Sequence, residues 1–128
     1  MQNRYLYKAK AIHILSENKH LDGQWITGFL SGEDYITDKV GEHLIDFTTI
    51  CQCTGIKDKD NRLIWENDIV ECVYDGKSNV RKIIWDESEL DFKGTNGKDQ
   101  YGTNFDYLPC CEELVVIGNI YDNPELLN

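Results

Sequence analysis

Five cysteines, three histidines and 23 carboxylates are the residues of this chain with chemistry to offer, and their spacing limits what that chemistry can be. Cys51-x-Cys53, Cys110-Cys111 and His43 would supply thiolates and an imidazole, the ligands zinc prefers. Zinc sites usually draw two ligands from a C-x2-4-C step, which is absent, so no metal is expected. Cys51 and Cys53 fall on one face of a strand and read as small apolar core residues. Asp58, Asp60 and Asn61 offer oxygens to a hard cation, but the glycine and distant bidentate glutamate of a calcium loop are missing, so a solvated turn is expected. Gly94-Thr95-Asn96-Gly97-Lys98 is two residues short of a phosphate loop, and Asp99 stands where that loop needs a hydroxyl and would repel the phosphates. His13, His20 and His43 are scattered, and no serine sits in a Gly-x-Ser-x-Gly elbow. No catalytic residue, metal ligand or cofactor is therefore assigned, no enzyme is expected, and binding residues are unknown at this stage.

The chain that must position these groups has 128 residues, 41% hydrophobic and 28% charged, the composition of one folded domain. Its formal charge of -10 repels phosphate backbones and anionic lipid, so nucleic acid is a disfavoured partner. An odd number of cysteines with no secretory signal ahead of them suggests free thiols in a reducing cytosol, hence a cytoplasmic protein. No apolar run approaches the ~20 residues of a membrane-spanning helix.

Alternation of apolar and polar residues predicts mainly β structure. Tyr5 to Leu15 places Tyr5, Tyr7, Ala9 and Ala11 on one face and Leu6, Lys8, Lys10 and Ile12 on the other. Asp22-Gly23 supplies a turn into Gln24 to Leu30, where Trp25, Thr27 and Phe29 share a face, and the two strands suggest a hairpin. Tyr35-Ile36 and His43-Leu44-Ile45, separated by Gly41, form a second, smaller hairpin. Phe47 to Ile56 reads as a strand, followed by the polar turn of residues 57–61. Leu63-Ile64-Trp65 and Ile69 to Tyr74 flank the polar break Glu66-Asn67-Asp68. Asp75-Gly76, lengthened by Lys77, Ser78 and Asn79, turns the chain into Val80 to Trp85. Asp86 to Asp106 reads as a long loop or a poorly formed hairpin. Leu114 to Ile117 should be a central strand buried on both faces, with a bulge or close approach at Gly118. Asn123-Pro124-Glu125 starts at most one terminal helical turn.

Thr54-Gly55-Ile56-Lys57-Asp58, Ile64-Trp65-Glu66-Asn67-Asp68-Ile69-Val70 and Val116-Ile117-Gly118-Asn119-Ile120-Tyr121-Asp122-Asn123-Pro124-Glu125-Leu126-Leu127 resemble the YopX family of phage and prophage proteins. The aromatic and basic stretch Tyr5 to Lys10 and the Trp25 to Gly28 segment extend the resemblance over nearly the whole chain. It implies one mostly β domain over 1–128, with an N-terminal β segment at 1–53 and an SH3-like barrel portion at 54–121. It also implies origin in phage or integrated elements, and no particular activity. The family usually carries glycine where Asn61 and Asn67 stand here. Asparagine is the side chain that best tolerates a left-handed backbone, so both positions are expected to be positive-φ turns.

The first functional expectation is a non-catalytic binding or regulatory module that meets an unknown protein partner through aromatics such as Tyr74, Trp85, Tyr101, Phe105 and Tyr107. The alternatives are nucleic-acid binding through Lys8, Lys10, Arg81 and Lys82, or an acidic mimic of DNA directed at a DNA-binding protein. Exposed edge strands also suggest a homo-oligomer.

Overall fold

The computed structural model describes residues 5–13, 22–95 and 105–127, and for Phe105 and Asp106 the backbone only. The protein is mainly β and divides into two compact units, Met1–Cys53 and Thr54–Asn128.

In the first unit, β1 (Tyr7–Lys10), β2 (Trp25–Gly32), β3 (Tyr35–Thr37) and β4 (Glu42–Leu44) follow one another as antiparallel neighbours. The edges of this sheet meet at one corner: Ala11 bridges Ile45, Ile12 N–H donates to Leu44 C=O at 2.9 Å, and Asp46 N–H donates to Lys10 C=O at 2.9 Å. Such curling gives an inner face, where Ala9, Ile36 and Ile45 are buried with Tyr7, Ile26 and Ile50 against them. It also gives an outer face. The Tyr5 to Leu15 strand is shorter than expected, and Ile14, Leu15 and the following polar stretch lie outside the described residues. Both expected hairpin pairs form, β1 with β2 and β3 with β4.

The strand expected from Phe47 begins only at Cys51, as β5 (Cys51–Lys57). Asp46 diverts its start: the carboxylate accepts from Thr48 N–H at 3.0 Å and from the Thr48 hydroxyl at 2.6 Å, which winds Phe47–Thr49 into a 3-10 turn. Cys51 and Gln52 then pair with β1.

The second unit takes the rest of β5, with β6 (Leu63–Trp65) beside it, and a five-stranded sheet in the order β10-β9-β8-β7-β11. These strands are β7 (Asp68–Tyr74), β8 (Lys77–Asp86), β9 (Asp91–Thr95), β10 (Phe105–Tyr107) and β11 (Glu113–Asn119). Among the described residues this sheet is open, with β10 and β11 as its edges. A 3-10 turn at Leu108–Cys110 leads from one edge towards the other and drops Leu108 into the core with Ile64, Val70, Cys72, Ile83, Phe92 and Leu114.

Three expectations for this unit are corrected. The β7–β8 turn is two residues long, because Asp75 (φ 51°) and Gly76 (φ 73°) both adopt the left-handed backbone of a type I′ turn, so Lys77 already pairs with Tyr74. Of the long loop or poorly formed hairpin expected for Asp86 to Asp106, the loop is corrected and a hairpin is found: Asp91 to Thr95 forms five register pairs with β8 and three with β10. Finally, β11 is an edge strand with Ile117 exposed, not a central strand buried on both faces. Its bulge does fall between Val116 and Gly118. There a Cβ on Gly118 would lie 2.6 Å from Asn123 Oδ1. Asn123 precedes the single terminal 3-10 turn, Pro124–Leu127, as expected.

Candidate functional site

Asp58 is the first cluster of polar chemistry, buried within a turn whose Asp60 and Asn61 are exposed as expected. Only 6% exposed, its Oδ1 accepts from the N–H groups of Asp60 at 3.0 Å and Arg62 at 2.9 Å. Its Oδ2 accepts from Val116 N–H at 3.0 Å and Arg62 Nε at 3.2 Å. Burial pushes the carboxyl pKa up. The N–H donors of Val116, Arg62 and Asp60 and the Arg62 charge together outweigh it and hold the group below its ordinary value. Four donors fill the carboxylate's acceptor positions, which leaves no place for a cation. Arg62 Nη2 also donates to Val116 C=O at 2.9 Å, and Lys59 N–H to Leu114 C=O at 2.9 Å, so Leu114 C=O and both backbone groups of Val116 on the outer side of β11 are taken by this turn.

Asn61 (φ 67°), in the turn between β5 and β6, and Asn67 (φ 69°), at the Glu66-Asn67-Asp68 break, both adopt the expected left-handed backbone. Asn67 N–H donates to Ile83 C=O at 2.8 Å, its C=O accepts from Ile120 N–H at 3.1 Å, and its side chain donates to the Tyr121 hydroxyl at 3.0 Å. Buried Asp68 accepts from Trp65 N–H at 2.8 Å. These are roles in holding the chain.

Lys93 is a cluster that sequence reasoning missed. Buried on β9, its ammonium donates to Asp86 Oδ2 at 2.8 Å and Glu89 Oε1 at 2.8 Å, and lies 5.2 Å from the Tyr107 ring centroid. The Tyr107 hydroxyl donates to Glu89 Oε2 at 2.6 Å. Hydrogen bonds to the two carboxylates raise the Lys93 pKa, and the Lys93 ammonium lowers those of Asp86 and Glu89 in turn. An amine held charged in this way is a staple, not a nucleophile. The signal was hidden because it depends on β9 pairing with β8.

The residues considered for zinc are placed as follows. Cys51 and Cys53 are buried, with Cys51 Sγ donating to Thr49 C=O at 3.3 Å. Cys110 is exposed, Cys111 Sγ donates to Tyr107 C=O at 3.6 Å, and His43 Nε2 lies 2.9 Å from Asp38 Oδ1. His13 N–H donates to Asp22 at 3.1 Å, and His20 lies outside the described residues. Gly94 is part of β9, so no phosphate loop begins there, and Gly97 and Lys98 fall outside the described residues.

The aromatics expected to form a recognition face are not brought together. Tyr74 sits at the β7–β8 turn, while Trp85 lies at the far end of β8, roughly 25 Å along the strand at ~3.3 Å per residue. Tyr107 is engaged by Glu89, and Tyr101 and the Phe105 side chain lie outside the described residues. The expected basic face also divides. Arg81 and Lys82 are neighbours on β8 and so point to opposite sides of the sheet.

A different grouping appears on the outer face of the first unit. The β1–β2 register sets Lys10 opposite Trp25 and Lys8 opposite Thr27. The Lys8 and Lys10 ammoniums lie 4.6 and 5.5 Å from the Trp25 ring centroid, within cation–π range. Two residues along from Thr27, Phe29 pairs with Thr37, whose alternate neighbour on β3 is Tyr35, so Phe29 and Tyr35 share this face. They are 45% and 40% exposed, too much for core residues. Each strand's alternation was legible in sequence, but the register that joins the strands was not.

Among the described residues no helix is long and apolar enough to cross a membrane. No curated protein matches the chain. A family profile described as YopX protein matches residues 2–128, nearly the whole chain.

Proposed function

The chain belongs to the YopX family, and we propose that it is a non-catalytic binding module that meets a protein partner through the outer face of its N-terminal sheet. The observation that carries this reading is the exposure of Phe29 and Tyr35 on the same sheet face as a Trp25 flanked by Lys8 and Lys10, further along β2. Aromatic surface supplies contact area at low entropic cost, and the ammoniums favour a partner that bears carboxylates. The internal engagement of Asp58, Asp68 and Lys93 supports a non-catalytic reading, since these charged groups act as structural ties. The strand order of the second unit, with a 3-10 turn before a last strand that returns beside the first, supports reading it as an SH3-like topology. Five thiols outside any disulfide support a reducing, cytoplasmic setting, and family membership supports phage or prophage origin.

The test is recovery of partners from host lysate by the full chain and by a Phe29→Ser, Tyr35→Ser double variant whose circular dichroism matches it. A specific protein retained by the first and lost by the second is the expected result, and equal recovery by both would sink the reading. Lys8, Lys10 and Trp25 favour single-stranded nucleic acid as a second reading, with the acidic mimic of DNA as a third. Two lysines reading phosphates would give a log–log salt slope of about -1.4, and affinity for oligothymidylate that ignores salt removes the second reading.

A further inference from the structure

The hairpin that joins β8 to β9 ends in Asp86-Glu87-Ser88-Glu89-Leu90-Asp91, and two features of this tip run against the fold's own preferences. Leu90 is 75% exposed, and its φ is 54°, in the left-handed region where Gly or Asn is usual and a branched apolar side chain is strained. At the other three left-handed non-glycine positions among the described residues the chain uses Asn61, Asn67 and Asp75. Beside the tip, Trp85 is 39% exposed, with its ring held edge-on to Phe92 at 4.9 Å between centroids.

The surrounding turn is tied down rather than loose. Asp86 Oδ1 accepts from Ser88 N–H at 2.9 Å and the Ser88 hydroxyl at 2.6 Å, while Lys93 joins Asp86 to Glu89 and Tyr107 secures Glu89. A side chain presented on a pre-ordered turn loses little entropy when it is captured.

We propose that Leu90 at the tip, with Trp85 at the base of the same hairpin, is an anchor that inserts into an apolar pocket of a protein partner whose rim carries Lys or Arg. The tip's charge selects that occupant. Four carboxylates stand among six residues, with Lys93 as the cation paired into them, so phosphate backbones and anionic lipid are repelled while a cationic rim is attracted. This surface is separate from the outer face of the first unit and goes beyond the function proposed for it.

The test combines stability and binding on the full chain. Leu90→Asn should raise the melting midpoint by about 2–4 °C, because asparagine accepts the left-handed backbone that leucine resists. Random dodecapeptides displayed on phage and selected against the protein should converge on an apolar centre flanked by Lys or Arg. They should bind at least ten-fold more weakly to Leu90→Asn and to Trp85→Ala, and equally well to Phe29→Ser. A midpoint that falls in Leu90→Asn overturns the proposal. So does selection of acidic or neutral peptides, of none, or of vesicle binding to phosphatidylcholine through Leu90. Peptides lost in Phe29→Ser but kept in Leu90→Asn overturn it too while leaving the outer-face reading standing.

Discussion

Asn61 and Asn67 show how much one residue type discloses by its position alone. Asparagine in a polar break between apolar strands signals a left-handed turn, and both residues adopt one. Asn61→Ala should cost about 1 kcal/mol in denaturant melts, because a Cβ without asparagine's local hydrogen bonding resists that backbone, whereas Asn61→Gly should stay within about 0.5 kcal/mol of the parent. Asp58 shows the opposite. It stands in a run of charged residues and reads as solvated, yet one of its donors, Val116, is 58 positions away in sequence. No local pattern announces a carboxylate whose partners arrive from a distant strand. Lys93 was hidden in the same way, since a lysine in a polar stretch is ordinarily a surface residue.

At the level of elements, the alternating segments were legible and the ends were not. Each of β1, β2, β7 and β8 lies where period-2 patterning predicts a strand. The misjudged ends share a physical cause, which is local chemistry overriding the pattern: Asp46 draws Phe47–Thr49 into a turn, and two left-handed residues close the β7–β8 hairpin in the shortest form. The apolar run Leu114 to Ile117 suggested a central strand, but hydrophobicity reports burial and not neighbours, and β11 is covered at its edge by the Asp58 turn instead. Gly118 was legible as a bulge and close approach. Gly118→Ala should destabilise the protein by about 1–3 kcal/mol, because the new Cβ would meet Asn123 Oδ1 at 2.6 Å and displace the chain entering the terminal turn. Thermal melts, with hydrogen exchange at Asn119 as the local readout, check this, since its N–H donates to Asn123 Oδ1 at 3.3 Å.

Over the whole molecule, charge is the property most visible in sequence and the least evenly spread. Residues 1–53 carry five Lys and Arg against seven Asp and Glu, and residues 54–128 carry eight against sixteen. The aromatic and basic outer face therefore lies in the nearly balanced unit, and the acidic hairpin tip in the strongly negative one. Neither grouping was legible, because both require strand register. The pH dependence follows from the ties. Asp38, Asp46, Asp58, Asp86 and Glu89 are all depressed in the folded state, so each contributes stability that is present above the ordinary carboxylate range and lost as pH falls through the folded value. Lys93 is raised, so its contribution is present below its ordinary value and lost only as pH rises past it. The melting temperature should be nearly flat from about pH 5 to 9 and fall below about pH 4. Asp58→Asn should melt lower at neutral pH and show a shallower acid decline, and an unchanged acid limb in that variant would show that Asp58 does not carry it.

The same carboxylate governs how the margin of the second sheet meets other chains. With the outward N–H and C=O of Val116 already satisfied, a foreign strand gains no continuous hydrogen-bond ladder past the middle of β11. Because its donors hold Asp58 below the ordinary carboxylate range, this guard stays charged and in place through mild acidification.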